Sequence, residues 1–128
     1  MPLVKISLRQ GTSAEYRRAI ADNVHQAMVE AIAIPLDDRF QMMTEYTADH
    51  LIYDPLYLGI KRSDKVVFIE ITLSTGRKPP QKRALFKKIA ERLEKSPGVR
   101  PEDVVVVLTE VAWENWSFGN GVAQYALD

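Results

Sequence analysis

Residues 65–74 read KVVFIEITLS, an almost unbroken run of apolar and β-branched side chains. Such a run is typical of a strand in a well-covered sheet. Pro79 and Pro80 follow, and the first turn of a helix tolerates proline. The next apolar residues recur at helical spacing until Gly98, and residues 103–110, DVVVVLTE, form a second strand-like run. This part of the chain therefore predicts a strand, a helix and a strand.

The first half of the chain repeats this order at a similar spacing. Residues 2–8, PLVKISL, alternate between a more apolar and a less apolar face, as a strand does. Residues 12–15, TSAE, have the form of a capping box for a helix that we expect to continue to Pro35. Residues 38–46, DRFQMMTEY, are predicted to be the next strand. The two halves share little identity, so only the pattern repeats.

Two such β-α-β units predict a single α/β (α+β) domain over residues 1–128. The units span about residues 2–46 and 65–110, and residues 111–128 form a C-terminal tail. The two strands of each unit should be parallel, because a crossover helix joins them. The expected result is a four-stranded sheet with both helices on one face.

The face of the sheet opposite the helices predicts association between chains. Val66, Phe68 and the run from Val104 to Val107 are too apolar for a face left in water. Burying that face between subunits would remove it from solvent. We therefore expect a homo-oligomer.

The composition excludes several classes of protein. Lys plus Arg number 17 and Asp plus Glu number 17, so the basic excess of a nucleic-acid-binding protein is missing. Cysteine is absent, which excludes disulfides, thiol catalysis and cysteine-ligated zinc. No apolar run is long enough for a membrane span, and Lys5 and Arg9 interrupt any signal-peptide core. We expect a soluble, cytoplasmic protein with neither a nucleic-acid nor a membrane partner.

Pro2 follows a start methionine, which is usually removed when the next residue is small. Removal would leave a free secondary amine at the start of a strand. Burial lowers the pKa of such an amine, a nearby arginine lowers it further, and a nearby carboxylate raises it. The amine could therefore act as a base or as an acid at neutral pH. Proline after methionine is, by itself, more often only a consequence of processing.

Three further stretches combine polar or aromatic residues with turn signals. PLDDRFQ, residues 35–41, places Asp38 at a helix-to-strand junction, where an aspartate most often caps a turn. STGRKPP, residues 74–80, places Arg77 after the central strand, where it could hold a carboxylate or lie in a solvated loop. WENWSFGNG, residues 113–121, could form a pocket wall or a plug against a neighbouring subunit.

The two histidines do not predict a metal site, because they are isolated from each other and from further ligands. His25 falls among apolar residues of the first helix, which favours a packed or half-exposed side chain over a ligand. His50 lies in the irregular segment between the two units, and nothing in the sequence pairs with it.

Together, these motifs resemble the tautomerase superfamily, and within it the malonate semialdehyde decarboxylases, along nearly the whole chain. The matching stretches are MPL at the start, AMVEA in the first helix, PLDDRFQ, PEDVVVVL and WSFGNG. The resemblance implies the fold given above, with three chains assembled so that their sheets face inward. The chemistry it implies needs no metal and no organic cofactor.

The resemblance also implies roles for three residues in catalysis. Pro2 matches the catalytic amine of the family. Asp38 matches the acid that orients or activates water, and Arg77 matches an arginine that holds the carboxylate of the substrate. A small carboxylate is therefore the implied substrate.

Four more residues are implied in substrate binding. Trp116, Phe118 and Tyr125 match aromatic positions of the pocket wall. Thr75 stands where the decarboxylases have a second arginine, because the loop that contains it is one residue longer here. One cationic contact to the substrate is thereby lost.

Three functions are compatible with these residues. In a lyase, cationic Pro2 would polarise the carbonyl of a 3-oxo acid while Arg77 holds its carboxylate, with hydration by Asp38 as a side activity. In a keto–enol tautomerase, neutral Pro2 would move a proton within a 2-oxo acid such as phenylpyruvate. A non-catalytic trimeric binding module is the third. Asp38 favours the lyase, and the lost arginine argues against dehalogenation of 3-haloacrylates.

Overall fold

A computed structural model describes residues 2–126 of the chain; Met1, whose removal the sequence predicts, and residues 127–128 of the tail lie outside the described residues. The elements are four strands and two α-helices, with short 3₁₀ turns between them: β1 Leu3–Arg9, α1 Ala14–Ile32, β2 Phe40–Tyr46, β3 Val67–Ser74, α2 Pro79–Lys95 and β4 Val104–Val111. The predicted order of elements is confirmed.

The four strands form one mixed sheet in the order β2-β1-β3-β4. β1 runs parallel to β2, and β3 runs parallel to β4, as expected for two β-α-β units. The two units join through β1 and β3, which pair in antiparallel fashion at the centre of the sheet. The start of β1 consequently lies beside the end of β3.

One face of the sheet packs against both helices and forms the core. Alternate residues of the central strands point to it, because successive side chains of a strand lie on opposite faces. Aliphatic residues of α1 and α2 complete it. The core residues of the four main elements include Val4, Ile6, Leu8, Ile69, Ile71, Leu73, Ile20, Val24, Leu85 and Ile89. Each such side chain contributes about 1.5–3 kcal/mol by its burial.

The ends of the first unit differ from the predicted bounds for local reasons. The cap of α1 is Ser13, whose hydroxyl accepts a hydrogen bond from the Tyr16 N–H, rather than the Thr12 of the predicted box. The helix ends at Ile32, because Ala33 adopts the left-handed conformation with φ of 58°, before Pro35 is reached. β2 begins at Phe40 and not at Asp38.

The face opposite the helices differs in part from the prediction. Val66, Val104 and Val106 were expected on it, but Val66 is fully buried and the two others pack against the core. The apolar residues that do lie on this face include Phe68, Val105 and Val107, with Met42 on the outer strand β2. Val107 is 52% exposed and Met42 is 47% exposed. The face is thus apolar in patches rather than throughout.

The irregular segment between the two units, residues 47–66, is tied to the start of β4. Asp103 is 1% exposed and accepts hydrogen bonds of 2.7 Å from both the N–H and the hydroxyl of Ser63. Several apolar side chains of the segment, including Ile52 and Leu58, are exposed. In the part of the chain that the structure describes, neither helix is long and apolar enough to span a membrane.

Candidate active site

The register of the sheet gathers the predicted site residues at one edge. Leu3, the first residue of β1, pairs with Phe40 at the start of β2 and with Thr72 near the end of β3. Pro2 therefore lies between the turn that precedes β2 and the last residues of β3. Its side chain is buried. The same edge receives the end of β4, because Ser74 pairs with Val111.

Asp38 lies in the turn that leads into β2, where its N–H donates a hydrogen bond of 3.0 Å to the Pro35 carbonyl. The side chain is only 6% exposed. Burial raises the pKa of the Asp38 carboxyl, since the charged form loses hydration. The positive charge of the amino terminus opposes this rise, Asp37 adds to it, and the His25 ring opposes it. The buried Asp38 carboxyl thus lies in the turn beside the start of β1, with its pKa raised.

Arg77 lies in the loop between β3 and α2, and its side chain is half-buried. Its Nη1 donates a long hydrogen bond of 3.4 Å to the carbonyl of Ser74, the last residue of β3. Gly76 adopts a φ of 130°, a conformation that favours glycine and lets the loop turn back here. The loop therefore keeps the guanidinium next to the end of the central strand.

Thr75 is exposed, and its backbone rather than its side chain is engaged. Its N–H donates to the Val111 carbonyl at 3.0 Å, and its carbonyl accepts a hydrogen bond of 3.2 Å from the Trp113 indole. The side chain at this position is therefore free to be exchanged without loss of these contacts.

Aromatic rings of the tail pack together at the same edge. The rings of Trp116 and Phe118 stack with centroids 5.3 Å apart, and Tyr125 meets Phe118 edge-on at 5.2 Å. Phe40, at the start of β2, stacks on Phe118 at 5.9 Å. Gln124 closes the turn of the tail by accepting from the Phe118 N–H and donating to the Gly119 carbonyl. The three predicted wall residues thus form one cluster.

The aromatic cluster also adjoins the two charged residues. Burial raises the pKa of the Tyr125 hydroxyl, and the negative charge of Asp38 raises it further. Trp116 donates a hydrogen bond of 3.0 Å from its indole Nε1 to the hydroxyl of Ser74, whose carbonyl accepts from Arg77. Contacts therefore connect Arg77 through Ser74 to the aromatic cluster, and Tyr125 lies within reach of Asp38.

Sequence reasoning missed four residues of this edge. The sequence places Ser74 at the end of the predicted strand without giving it a role; it is fully buried and accepts hydrogen bonds from both Trp116 and Arg77. Phe40 was read only as part of a strand, and Trp113 only as part of a tail motif. The expectation of a packed or half-exposed His25 side chain is confirmed, since it is buried, but the sequence gives no signal for the contact of its Nε2 with the Leu36 carbonyl at 2.7 Å.

Other polar features of the molecule lie away from this edge. A cavity of about 480 Å³ opens at the opposite end of the sheet, between the end of β1 and residues 64–65. Across residues 2–126, no group of three His, Asp, Glu or Cys side chains is placed to hold a metal ion. The side chains that meet at the edge include a buried carboxyl, a half-buried guanidinium and three stacked or edge-on aromatic rings.

Two family models, each described as tautomerase enzyme, match the chain. One matches residues 2–67 and the other residues 38–119, so each covers more than half of the sequence. The chain belongs to the tautomerase enzyme family. The family resemblance predicted from the sequence motifs is thus confirmed.

Individual tautomerase relatives match over nearly their whole length. "Probable tautomerase YusQ" of Bacillus subtilis (strain 168) is 43% identical over 97% of this chain and 98% of its own. Among solved structures, FG41 malonate semialdehyde decarboxylase inhibited by 3-bromopropiolate is 44% identical, with a TM-score of 0.91, over 96% of this chain and 93% of that one.

A second malonate semialdehyde decarboxylase structure, described as a basis for decarboxylase and hydratase activities, is 32% identical with a TM-score of 0.91. It covers 96% of this chain and 95% of that one. The likeness to both decarboxylases extends across all four strands and both helices of this chain, since so little of it lies outside the match.

Proposed function

We propose that this tautomerase-family chain is a lyase that decarboxylates a small 3-oxo acid without a cofactor. Malonate semialdehyde is the first substrate to test, because two structural relatives are named for its decarboxylation. The observation that carries the proposal is the buried Asp38 carboxyl, which lies at the same sheet edge as Pro2. A carboxylate in that place favours a cationic amine.

In the proposed mechanism, Pro2 acts as a cation after Met1 has been removed. Its ammonium N–H donates to the aldehyde or ketone oxygen of the substrate, and Arg77 holds the carboxylate. The bond between the carboxyl carbon and the adjacent carbon breaks, carbon dioxide leaves, and the electron pair remains as an enolate. The Pro2 ammonium stabilises this enolate and then protonates its carbon. Solvent returns the proton to the amine.

Asp38 and the aromatic cluster have supporting roles in this proposal. Asp38 keeps the Pro2 amine protonated at neutral pH by its negative charge. Trp116, Phe118 and Tyr125 form an apolar wall that excludes water from the enolate, which strengthens its electrostatic stabilisation. Thr75 offers no positive charge, so Arg77 alone holds the carboxylate in this loop. Hydration of an unsaturated acid would use the same parts, with Asp38 as the base that activates water.

A keto–enol tautomerase is the second candidate, supported by the likeness to YusQ, which is named a probable tautomerase. In that reaction a neutral Pro2 moves a proton between the carbon and the oxygen of a 2-oxo acid such as phenylpyruvate, and Arg77 again holds the carboxylate. The two candidates differ in the protonation state of one amine. A non-catalytic trimeric module with the same fold is the remaining alternative.

We further propose that three chains assemble with their open sheet faces inward. The exposed side chains of Met42 and Val107 on that face support the proposal, since they would then leave water. The exposed apolar residues of the segment 47–66 would add to the same interface. A small carboxylate substrate would reach the edge of the sheet in each chain.

The test uses protein whose loss of Met1 has been verified by intact mass. Acetaldehyde release from malonate semialdehyde is compared with ketonisation of phenylenolpyruvate, and the Pro2 amine is titrated by ¹⁵N NMR. Acetaldehyde release together with an amine pKa above the usual range of about 7.7–8.0 supports the lyase. Ketonisation together with an amine pKa below that range supports the tautomerase. If the Pro2 amine is free but neither decarboxylation nor ketonisation is detected, the non-catalytic binding module is supported.

A further inference from the structure

His25 is a buried histidine on α1 that none of the proposed steps uses. Its side chain is 3% exposed, and its Nε2 lies 2.7 Å from the carbonyl oxygen of Leu36. A carbonyl oxygen only accepts hydrogen bonds, so Nε2 carries a proton and donates it. Among residues 2–126, the other ring nitrogen of His25 has no hydrogen-bond partner. Among these residues, the hydrogen bonding of the ring is therefore confined to the Leu36 carbonyl.

The Leu36 carbonyl belongs to the turn that carries Asp38 into the interior. The Leu36 side chain is 68% exposed, so apolar packing does not hold this part of the turn in place. The backbone contacts of the turn include the bond from the Asp38 N–H to the Pro35 carbonyl and the bond from the Ile34 N–H to the Met28 carbonyl. Neither of these bonds involves Leu36, whereas the bond from His25 does.

The inward position of Asp38 has an energetic cost that some contact must offset. Burial of its carboxyl disfavours the charged form, as the raised pKa shows. A turn without a fixed point would relieve this cost by rotating the carboxyl into water. The charge-bearing groups around it are the amino terminus, Asp37 and His25, while Tyr125 approaches from the tail. Of these, His25 has a hydrogen bond to the backbone of the turn, from its Nε2 to the Leu36 carbonyl.

We propose that His25 is the positioning residue of this site: its Nε2–H holds the Leu36 carbonyl and thereby keeps the Asp38 carboxyl buried beside the start of β1. The inference deepens the proposed function, because it assigns to α1 the task of placing the acid that acts on Pro2. His25 does not touch the substrate in this account. It acts only through the backbone of the turn.

Two variants of similar polarity separate the hydrogen bond from the charge and the volume of the ring. Glutamine places its amide nitrogen near the position of the histidine Nε2 and can still donate to Leu36, whereas asparagine is one methylene shorter and does not reach it. His25→Gln and His25→Asn are therefore compared. His50→Asn serves as the control for histidine loss, because His50 is exposed on the segment 47–66.

The first readout is the titration of the Asp38 carboxyl, followed by ¹³C NMR and assigned with the Asp38→Asn variant. We expect the pKa of Asp38 to stay raised in His25→Gln and to fall toward the ordinary aspartate range in His25→Asn, where the carboxyl becomes hydrated. The second readout is decarboxylation: His25→Asn should lower kcat by about 10- to 100-fold, as misplaced catalytic groups do. His25→Gln should keep most of kcat, and His50→Asn should behave as the wild type.

Two results would overturn the proposal. If His25→Asn titrates and turns over as the wild type does, the bond to Leu36 does not position Asp38. If His25→Gln loses as much as His25→Asn, the ring acts through its charge or its packing and not as a donor. The NMR titration needs no substrate, so it tests His25 even if the wild type does not decarboxylate malonate semialdehyde. An inactive wild type would contradict the proposed function. The inference about His25 would then be decided by the NMR titration of Asp38.

Discussion

The indole Nε1 of Trp116 donates a hydrogen bond of 3.0 Å to the hydroxyl of Ser74, the last residue of the central strand β3. Ser74 is fully buried, and its carbonyl also accepts from Arg77. One serine therefore joins the aromatic cluster of the tail to the loop that carries the guanidinium. The aromatic cluster and the Arg77 guanidinium are in this way fixed relative to each other.

Replacing Ser74 should loosen this junction. Ser74→Ala leaves the indole N–H of Trp116 without its acceptor, which should lower the free energy of unfolding by about 1 kcal/mol. Urea denaturation of Ser74→Ala, Trp116→Phe and the double variant gives the coupling energy of the pair. Additive effects of the two substitutions would show that the bond contributes nothing to stability.

Removing the charge of Asp38 should separate activity from stability. Asp38→Asn should abolish most of the proposed decarboxylase activity, since in the proposed mechanism this carboxylate keeps the Pro2 amine cationic. At neutral pH it should unfold less readily than the wild type, by on the order of 1 kcal/mol, because a buried charge has been removed. Asp37→Asn, at the exposed neighbouring carboxylate, is the matched control and should change neither property much.

The stability gain of Asp38→Asn should depend on pH in one direction. The folded chain binds the Asp38 proton more tightly than the unfolded chain, whose pKa is near the usual 3.8. Wild-type stability therefore falls as the pH rises from that value through the raised pKa of the folded state. The difference between the variant and the wild type should be greatest at neutral pH and shrink on acidification. Thermal unfolding at a series of pH values measures it, and a difference that grows on acidification would contradict the raised pKa.

Arg77 should matter for its shape as well as its charge. Arg77→Lys keeps a cation but loses the planar pair of donors that matches a carboxylate. We expect kcat/KM to fall by about 10- to 100-fold, since hydrogen bonds between charged groups contribute about 1.5–3 kcal/mol. Steady-state kinetics measure the effect, with Arg83→Lys on the exposed side of α2 as the control. Equal kinetics for the two variants would remove Arg77 from the site.

Thr75 offers a place to restore a second positive charge. Its side chain is exposed and its backbone contacts do not depend on it, so Thr75→Arg should fold normally. KM for the substrate carboxylate should fall by up to about fivefold, which corresponds to an exposed ion pair of about 1 kcal/mol. Thr75→Gln, similar in length and uncharged, should leave KM unchanged. An unchanged KM in both would place the substrate carboxylate away from this position.

The proposed assembly can be tested on the open face. Val107→Glu puts a charge at a residue of β4 that is 52% exposed and would be buried between chains. Analytical ultracentrifugation should give the mass of three chains for the wild type and a smaller mass for this variant. Phe86→Glu, at an exposed apolar residue of α2 on the helical side, should leave the mass unchanged. A wild type that sediments as a single chain would remove the proposed assembly.

The fold could be predicted from the sequence because its signals are local. The period-two pattern of β1 and the apolar runs of β3 and β4 need no knowledge of distant residues. The predicted start of β2 at Asp38 was wrong for a related reason. In the sequence, Asp38 and Arg39 directly precede the strand-like run, but in the structure the Asp38 N–H bonds to the Pro35 carbonyl and forms a turn. Local preferences do not show which of two competing backbone bonds will form.

The site could be predicted only where a motif marked it. Pro2, Asp38 and Arg77 came from the family resemblance, and the structure places them at one edge, although their roles remain predictions. Ser74 and His25 could not be found in that way. Each matters through a single hydrogen bond to a residue of another element, and a sequence does not state which distant partner a buried polar group will meet.

The two β-α-β units begin in the same manner, since buried Pro2 precedes β1 as buried Val66 precedes β3. The antiparallel pairing of β1 with β3 sends these two beginnings to opposite ends of the sheet. Val66 is joined by a peptide bond to the segment before it, so its nitrogen has no basic lone pair. The β-α-β pattern is therefore repeated, but a free amine could form at only one of its two strand starts. A reagent directed at the proposed Pro2 amine should therefore reach saturation at one equivalent per chain. The Val66 nitrogen, at the start of the second unit, should not react.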